Sequence, residues 1–261
     1  MLRFMIGFCP LASGSKGNST YLGSRETKIL IDIGLPLRQL EQRLQCIGVG
    51  LDEIDAIIIT HEHSDHIKGL HNLTSQFQIP VLCNRETAVA LEGILEFKLP
   101  FRLFSTGDSF TLGDLLIKPF QVMHDTPDPV GVTIETHGYK VGICTDLGQI
   151  TPVVRQELKG CDYLVLEANH DPNMVWACNR PQVYKQRVLS KLGHLSNDEC
   201  ARLLEAVMHE KLRHIHLAHL SSECNSAEKA LITVQAMLDR VASPAKLSLA
   251  YQDLVSLPIR F

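Results

Sequence analysis

Four potential metal ligands stand within six residues of this chain, in the segment His61-Glu62-His63-Ser64-Asp65-His66. Imidazole nitrogens and carboxylate oxygens are ligands of zinc and of other divalent ions. One short loop cannot wrap all four around a single ion, but it can divide them, with His61 and His63 facing one ion and Asp65 and His66 facing a second. Since the whole chain contains 12 histidines, this density favours a metal site over a polar loop that is rich in histidine by chance.

Three more ligand-type side chains follow apolar runs that read as strands. His124 follows Phe120-Gln121-Val122, Asp146 follows Val141-Gly142-Ile143-Cys144-Thr145, and His219 follows His214-Ile215-His216-Leu217-Ala218. With the first loop they complete two coordination sets. The first set is His61, His63, His124 and Asp146. The second set is Asp65, His66, His219 and the same Asp146, whose carboxylate would bridge the two ions.

The elements that must position these groups are predicted by short apolar runs separated by Gly, Asp and Ser. In the first half, strands are predicted near residues 2–9, 19–23, 28–33, 56–60, 80–83, 101–104, 115–122 and 130–135. Helical spacing is found at 36–46 and 85–97. In the second half, strands are predicted at 139–145, 162–167, 213–218 and 246–250. A helix is predicted at 226–240, and another begins at the capping box Ser196-Asn197-Asp198-Glu199.

Length and composition indicate a soluble globular protein. The 261 residues are 45% hydrophobic and 21% charged, and no linker or low-complexity tract divides them, so we expect one domain over 1–261. Sheets that face each other with helices outside would bury this pattern. The net charge of −4 excludes a positive field over the whole protein but not a local basic groove. No run approaches the roughly 18 apolar residues of a membrane span, so no membrane partner is expected.

The N-terminus and the cysteines bear on the compartment. The segment from Met1 to Ala12 faintly resembles a signal peptide, but its short apolar part continues into a second strand-like run, which favours a first strand. Eight cysteines are scattered without any Cys-x-x-Cys pair, and several lie in apolar runs. This usage is typical of reduced core thiols and predicts a cytoplasmic protein without a four-cysteine zinc site.

The ligand pattern resembles that of the metallo-β-lactamase-fold hydrolases. The resemblance is carried by His61-x-His63-x-Asp65-His66, followed in order by His124, Asp146 and His219. Further segments resemble the YycJ/WalJ-type branch, namely 11–19, Asn169-His170-Asp171, Gly193-His194-Leu195-Ser196-Asn197 and Ala218-His219-Leu220-Ser221. The resemblance implies a four-layered αββα sandwich of the α/β (α+β) class, with a dinuclear centre at the edge between the sheets. It also implies nuclease or phosphodiesterase chemistry.

Two cations about 3.5–4 Å apart can share a bridging hydroxide and clamp a phosphate, and zinc, manganese or iron would suit these ligands. His194 is the candidate general acid for the leaving group, unless it only orders the start of the next helix. Asp65 is assigned to the catalytic set as well as to the ligands. Candidate substrate contacts are Ser13, Ser15, Lys16, Asn18 and His170. The Gly-rich Ser13–Ser19 loop could be an anion-binding nest or only a tight turn between two strands. His170 could contact substrate or simply hold its own loop.

The leading hypothesis is a metal-dependent phosphodiesterase that acts on nucleic acid or on a small phosphodiester. The first alternative is a hydrolase of a lactone, thioester, β-lactam or other small molecule on the same fold. A diiron reductase is disfavoured because such domains carry Glu where His63 stands and need a flavin partner domain. A metal-binding regulatory module without turnover is disfavoured by the intact ligand set. The sequence does not indicate the oligomeric state.

Overall fold

Two sheets that face each other form the centre of the molecule. A computed structural model describes residues 5–95, 99 and 101–261, and within them the chain forms two seven-stranded sheets. The strands of the first sheet are β1 (Gly7–Ala12), β2 (Ser19–Gly23), β3 (Lys28–Ile31), β4 (Ala56–Ile58), β5 (Val81–Cys83), β6 (Phe101–Leu103) and β14 (Ile259–Arg260). Those of the second are β7 (Phe110–Leu112), β8 (Leu115–Gln121), β9 (Val130–Thr136), β10 (Tyr139–Cys144), β11 (Tyr163–Glu167), β12 (His214–Ala218) and β13 (Lys246–Leu249).

The strand order is β14-β1-β2-β3-β4-β5-β6 in the first sheet and β13-β12-β11-β10-β9-β8-β7 in the second. In the first sheet, β3 to β6 are parallel neighbours, and in the second sheet β10 to β13 are parallel. The remaining pairs are antiparallel. Parallel strands end at the same edge, and at that edge the connecting loops form a crevice. Each sheet therefore brings several loops to one place.

Helices cover the outer faces. They are α1 (Leu37–Cys46), α2 (Ser64–Ile67), α3 (Leu70–Gln76), α4 (Arg85–Ile94), α5 (Pro152–Leu158), α6 (Pro172–Ala177), α7 (Gln182–Val188), α8 (Asn197–Val207) and α9 (Ala227–Arg240). Leu40, Leu73 and Leu91 pack with the first sheet. Leu204 and Val234 pack with the second. α8 begins at the capping box that the sequence predicts, with Ser196 as the N-cap.

The apolar strands alternate between two cores because successive side chains point to opposite faces. In β3, Ile29 and Ile31 lie between the sheets, while Leu30 faces the helices. In β11, Val165 lies between the sheets and Leu164 faces α5 and α8. Both faces of these strands are buried, which explains why their sequences are continuous apolar runs. The result is four layers, αββα, and the predicted fold class is confirmed.

Several boundaries differ from the predicted ones. The first strand, predicted at 2–9, is observed at Gly7–Ala12, and residues 2–4 of the prediction lie outside the described residues. The helix predicted at 85–97 is described at Arg85–Ile94, and residues 96 and 97 lie outside the described part. Strands β7 and β14 and helices α2, α3, α5, α6 and α7 were not predicted, because each is too short for periodicity to reveal.

No helix among the described residues is long and apolar enough to cross a membrane. All eight cysteines belong to the described part of the chain, and each is a free thiol there. Most are buried, and burial raises the pKa of Cys9 and Cys83 to about 12. These thiols pack as small apolar groups, as the sequence predicts.

Candidate active site and metal centre

The predicted ligands meet at one edge of the sandwich. The loop after β4 supplies His61, His63, Asp65 and His66, with the last two in α2. The second sheet supplies His124 after β8, Asp146 after β10 and His219 after β12. Their donor atoms form tight groups that include His61 with His63 and His124, His61 with His66 and Asp146, and Asp65 with His66 and His219; within each group the atoms lie within 4.8 Å of one another. The seven side chains are thus brought together from both sheets.

In four of the histidines, Nδ1 faces a hydrogen-bond acceptor and Nε2 faces the other ligands; they are His61, His66, His124 and His219. The Nδ1 atoms of His66 and His219 lie 2.8 Å from carboxylate oxygens of Asp32 and Glu167. His124 Nδ1 lies 3.0 Å from the carbonyl oxygen of Gly193. These oxygens can only accept, so each Nδ1 carries the hydrogen of the neutral ring and Nε2 keeps its lone pair. Metal-binding histidines use this arrangement, because the Nδ1 partner fixes the ring and its tautomer.

His61 follows the same rule through a hydroxyl group. Its Nδ1 lies 3.0 Å from Thr60 Oγ1, and that hydroxyl donates to Asp32 Oδ2 over 2.8 Å. Thr60 Oγ1 therefore accepts from His61, and His61 Nε2 is left with a lone pair. This buried Nε2, that of His219 and Oδ2 of Asp146 have no hydrogen-bond partner among the described residues. Buried acceptors without donors are costly, and a cation would satisfy all three.

The spacing of the donor atoms also fits a metal ion. His63 Nδ1 lies 3.3 Å from His124 Nε2. Two ligands of a tetrahedral ion with metal–nitrogen distances of about 2.0–2.1 Å are separated by about 3.3 Å. Asp146 lies between the groups, with Oδ2 at 3.1 Å from His66 Nε2 and Oδ1 at 3.7 Å from His124 Nε2 and 3.4 Å from His219 Nδ1. The residues present therefore fit divalent metal binding.

The pKa shifts of the histidines also favour a cation at this site. Burial lowers the pKa of His61 well below its usual value, and His66 lowers it further, so His61 is neutral. Burial opposes the charged form of His66 and His219, yet the carboxylates of Asp32 and Asp146 raise the pKa of the first, and Asp146 with Asp65 raises that of the second, well above the usual value. Buried carboxylates thus create a field that favours positive charge at the centre. Metal ions would supply that charge and leave the rings neutral.

Glu167 is a site residue that the sequence reasoning missed. It ends β11 and is fully buried, and its Oε1 lies 2.8 Å from His219 Nδ1 and 2.9 Å from His194 Nδ1. Its Oε2 accepts backbone N–H donors from Leu147 and Leu195 at 2.8 and 3.0 Å. Burial alone would raise the pKa of Glu167, but the rings of His194 and His219 lower it to about 2. Both of its oxygens are engaged, so it orients the two histidines and is not placed to bind metal.

Replacement of Glu167 by glutamine should weaken metal binding by about 10–100-fold, the usual effect of losing an outer partner of a ligand. A Gln side chain has one NH₂ group where Glu167 has an oxygen. In one orientation this NH₂ faces the two ring N–H groups, and in the other it faces the two backbone N–H donors, so two hydrogen bonds are lost either way. Titration of the metal-free protein with Mn²⁺ or Zn²⁺ measures the change, and at saturating metal the number of bound ions should equal that of the wild type.

The matched control is Glu205→Gln, which removes an exposed partner of Arg240 on the outer face of α8. A surface ion pair contributes only about 0–1 kcal/mol, and the metal affinity of this variant should equal that of the wild type. An unchanged affinity in Glu167→Gln would disprove the orienting role. A lower number of bound ions at saturation would make Glu167 a ligand instead.

Asp32 was missed as well. It follows Ile29-Leu30-Ile31 of β3, and its carboxylate accepts from the Thr60 backbone N–H, the Thr60 hydroxyl and His66 Nδ1 at 2.8 Å each. It thereby fixes the first histidine loop from the neighbouring strand. A sequence signal existed, since Asp32 and Glu167 are acidic residues at the ends of apolar runs, as Asp146 is.

Three of these residues share a strained backbone. Asp32, Asp146 and His219 have φ angles of 61°, 55° and 54°. Left-handed conformations are uncommon for residues other than glycine and cluster at functional sites. Each lies one or two residues after a strand that has a parallel neighbour, and turns its side chain toward the centre. The strain therefore marks the edge of the sandwich where the ligands converge.

The Ser13–Ser19 loop is a tight turn, and the anion-binding alternative is not supported. Its backbone amides are already used, as those of Ser13, Gly14, Lys16, Gly17 and Asn18 all donate within the protein. The hydroxyl of Ser13 accepts from the backbone N–H of His219 over 2.8 Å. The amide of Asn18 donates to Asp65 Oδ2 over 3.0 Å and lies 3.0 Å from His66 Nε2. Ser13 and Asn18, predicted as substrate contacts, are therefore placed to support ligands.

The other predicted contacts are placed differently. Ser15 is exposed and lines the cavity above the ligands, while Lys16 lines a neighbouring groove. His194 is partly exposed in the ligand cavity, with Nδ1 held by Glu167. His170 is buried outside that lining, and burial lowers its pKa to about 4. Its carbonyl oxygen accepts from Asn197 N–H at the start of α8, so this residue supports its own loop.

A four-layered αββα sandwich with a histidine-rich metal site at its edge defines the metallo-β-lactamase class of hydrolases. The profile of the beta-lactamase superfamily domain matches residues 27–217, and the chain belongs to this superfamily. The resemblance predicted from the ligand pattern is thus confirmed.

Two curated relatives are similar to this chain over most of its length. The chain is 35% identical over 237 residues to the exodeoxyribonuclease YycJ of Bacillus anthracis, which covers 90% of this chain and 89% of the relative. It is 34% identical over 229 residues to the exodeoxyribonuclease WalJ of Streptococcus pneumoniae, covering 86% and 85%. Among solved structures, the metallo-β-lactamase-fold protein YhfI of Bacillus subtilis superimposes with a TM-score of 0.72 at 15% identity, over 95% of this chain and 98% of that one. The predicted YycJ/WalJ resemblance is confirmed.

Proposed function

We propose that this protein is a metal-dependent phosphodiesterase that removes nucleotides from an end of DNA. The observation that carries the proposal is the convergence of seven ligand-type side chains whose free acceptor atoms face one another. The relatives named as exodeoxyribonucleases match this chain over most of both lengths, which supports DNA as the substrate.

We assign two divalent ions to the centre. His61, His63 and His124 would hold one, Asp65, His66 and His219 would hold the other, and Asp146 would contact both. The donor set of imidazoles and carboxylates suits zinc or manganese, and also iron. When bound, such ions would lower the pKa of a water molecule so that it loses a proton and becomes a nucleophile at neutral pH, and they would neutralise the charge that develops on the phosphate.

The protein's own groups supply the remaining steps. His194 lies beside the ligands, and its Nδ1 is 2.9 Å from Glu167 Oε1, a contact that fixes the orientation of the ring. It would protonate the alkoxide oxygen that leaves the phosphorus. Asp65 would help to position the attacking water, since its Oδ2 accepts from the Asn18 amide and lies 3.6 Å from His219 Nε2. The ring of Tyr184 and the guanidinium of Arg187 line the same cavity from α7 and can contact the terminal nucleotide.

The cavity shape supports action at a strand end. The space above the ligands is about 190 Å³ and is lined by three residues of α7, namely Tyr184, Arg187 and Val188. None of these three lines the adjoining groove of about 710 Å³. A small pocket with a helix along it and a larger opening beside it suits one terminal nucleotide followed by a strand.

The purified protein with added Mn²⁺ or Zn²⁺ should hydrolyse bis-p-nitrophenyl phosphate and shorten end-labelled linear DNA, and a chelator should stop both reactions. Single-stranded and double-stranded DNA, RNA and a β-lactam form the substrate panel. A circular single strand of the same sequence is the control for end dependence, and it should stay intact. Cleavage of the lactam or of a thioester without any phosphodiester cleavage would instead establish the acyl-hydrolase alternative.

We also propose that the protein works in the cytoplasm as one domain over 1–261. The eight free cysteines support a reducing compartment. The two sheets share one apolar interface, which supports a single folding unit.

A further inference from the structure

A second cavity adjoins the ligand cavity and shares Ser15 and Asp65 with it. It is about 710 Å³, and its walls are the Ser13–Ser19 loop, α1, α2 and the turn at Gln252 and Asp253. We call it the basic groove. Three cationic side chains line it, namely Lys16, Arg43 and Lys68. Against a chain of net charge −4, this is a local concentration of positive charge.

Two of these cations, Lys16 and Lys68, have no paired carboxylate in the part of the chain that the structure describes. Lys16 and Lys68 are exposed, and neither forms an ion pair with another of the described residues. Of the described residues that line the groove, Asp65 and Asp253 are acidic, and neither forms an ion pair with Lys16 or Lys68. By contrast, Arg187 on the α7 side of the ligand cavity donates from Nε to Asp125 Oδ2 over 2.6 Å. Lysines without an ion-pair partner among the described residues therefore lie on the groove side of the site.

Hydrogen bonds hold the walls of the groove in place. Arg43 Nη1 donates to the carbonyl oxygens of Leu11 and Gln252 at 2.7 and 2.9 Å. The Gln252 side chain accepts from Lys16 N–H at 2.8 Å and donates to the Gly17 carbonyl oxygen at 3.0 Å. The loop that carries Lys16 is therefore tied to α1 and to the C-terminal turn. The groove is a fixed surface and needs little ordering to bind a ligand.

We propose that the basic groove binds the strand that continues from the scissile phosphate, with Lys16 and Lys68 each contacting one backbone phosphate. The inference rests on the proposed function. Charge complementarity selects a polyanion, and the shared residues Ser15 and Asp65 make the groove continuous with the site. Lysine contacts to phosphate carry no base information, so the groove should bind any DNA sequence.

The test is the salt dependence of kcat/KM for a linear single strand of about 20 nucleotides, measured on the metal-loaded protein. Each phosphate contact contributes about 0.7 to the slope of log binding against log salt for single strands, so Lys16→Gln/Lys68→Gln should lower the slope by about 1.4. The same relation gives a loss of roughly 10–100-fold near 50 mM salt and of about threefold near 500 mM. A dinucleotide is too short to enter the groove, so its kcat/KM should fall much less. The ratio of kcat/KM for the long strand to kcat/KM for the dinucleotide should therefore be lower in the variant than in the wild type.

The matched control is Lys159→Gln/Lys211→Gln. These exposed lysines line a different cavity beside α8, and Lys211 precedes β12, whereas His219 follows it. The control removes the same charge at the opposite end of the sheet and should keep the wild-type slope, and melting temperatures establish that both variants are folded. If both double variants change the slope equally, the effect is one of net charge and the groove inference is overturned. If the wild type cleaves no DNA, the proposed function fails first; if it cleaves DNA and Lys16→Gln/Lys68→Gln retains the wild-type slope, the groove inference alone fails.

Discussion

Replacement of Asp146 by alanine should release both proposed metal ions and abolish phosphodiester hydrolysis. Its carboxylate contacts both ligand groups, since Oδ2 lies 3.1 Å from His66 Nε2 and Oδ1 lies 3.7 Å from His124 Nε2 and 3.4 Å from His219 Nδ1. Without this carboxylate each group is left with three ligands, and two ions at close range lose the negative charge between them. The rate loss should exceed the roughly 100-fold upper range for outer partners of ligands. Elemental analysis of the purified variant measures the ions directly.

A second variant separates metal loss from misfolding. Alanine at a φ of 55° is strained, whereas asparagine adopts left-handed conformations readily. Asp146→Asn therefore keeps the size and the backbone while removing the charge, and it should also lose metal. A variant that retains one ion at full occupancy would contradict the shared role, and a variant that retains two would remove Asp146 from the ligands altogether.

Replacement of His194 by alanine should lower the rate on DNA by about 10²–10⁴-fold, the usual contribution of a positioned proton donor. The metal content should not change, because the ring is held by Glu167 and is not one of the proposed ligands. The loss should be much smaller with bis-p-nitrophenyl phosphate, since p-nitrophenolate leaves without needing a proton. Turnover numbers on the two substrates, with metal analysis of the same preparation, measure all three effects.

His209→Ala is the matched control for this variant. His209 bonds to the Cys161 carbonyl oxygen and lines the cavity beside α8, so both substrates should be cleaved at the wild-type rate. Each other outcome for His194→Ala has its own meaning. Metal loss makes His194 a ligand, equal losses on both substrates make it a positioning residue, and an unchanged rate leaves it with only the start of α8 to order.

The sequence was most informative where chemistry and local pattern coincide. The histidine loop after β4 and the side chains that follow β8, β10 and β12 were predicted as one cluster, because each is of a metal-ligand type and stands where an apolar strand ends. Glu167 and Asp32 carried the same signal. Their role could not be read from the sequence, because they orient histidine rings through contacts between separate strands, and no local pattern encodes which ring a carboxylate will meet.

Other features depend on contacts that no local pattern encodes. Whether the amides of the Ser13–Ser19 loop are free to bind an anion is decided by Tyr251 and Gln252, which lie more than 230 positions away. The pairing of Arg187 with Asp125 likewise joins two loops through space. The basic groove combines α1, α2 and the C-terminal turn. Such surfaces exist only once the sheets are packed.

The origin of the ligands in both sheets sets an order of events during synthesis. In the chain, His219 follows Asp146 by 73 positions, which takes about 4–15 s at the usual 5–20 residues per second. During that interval a nascent chain holds every proposed ligand of the first ion but lacks the last ligand of the second. β12, which delivers His219, must also pair with β11 before that ligand is in place. Occupancy of the second position would therefore report that the C-terminal half has folded.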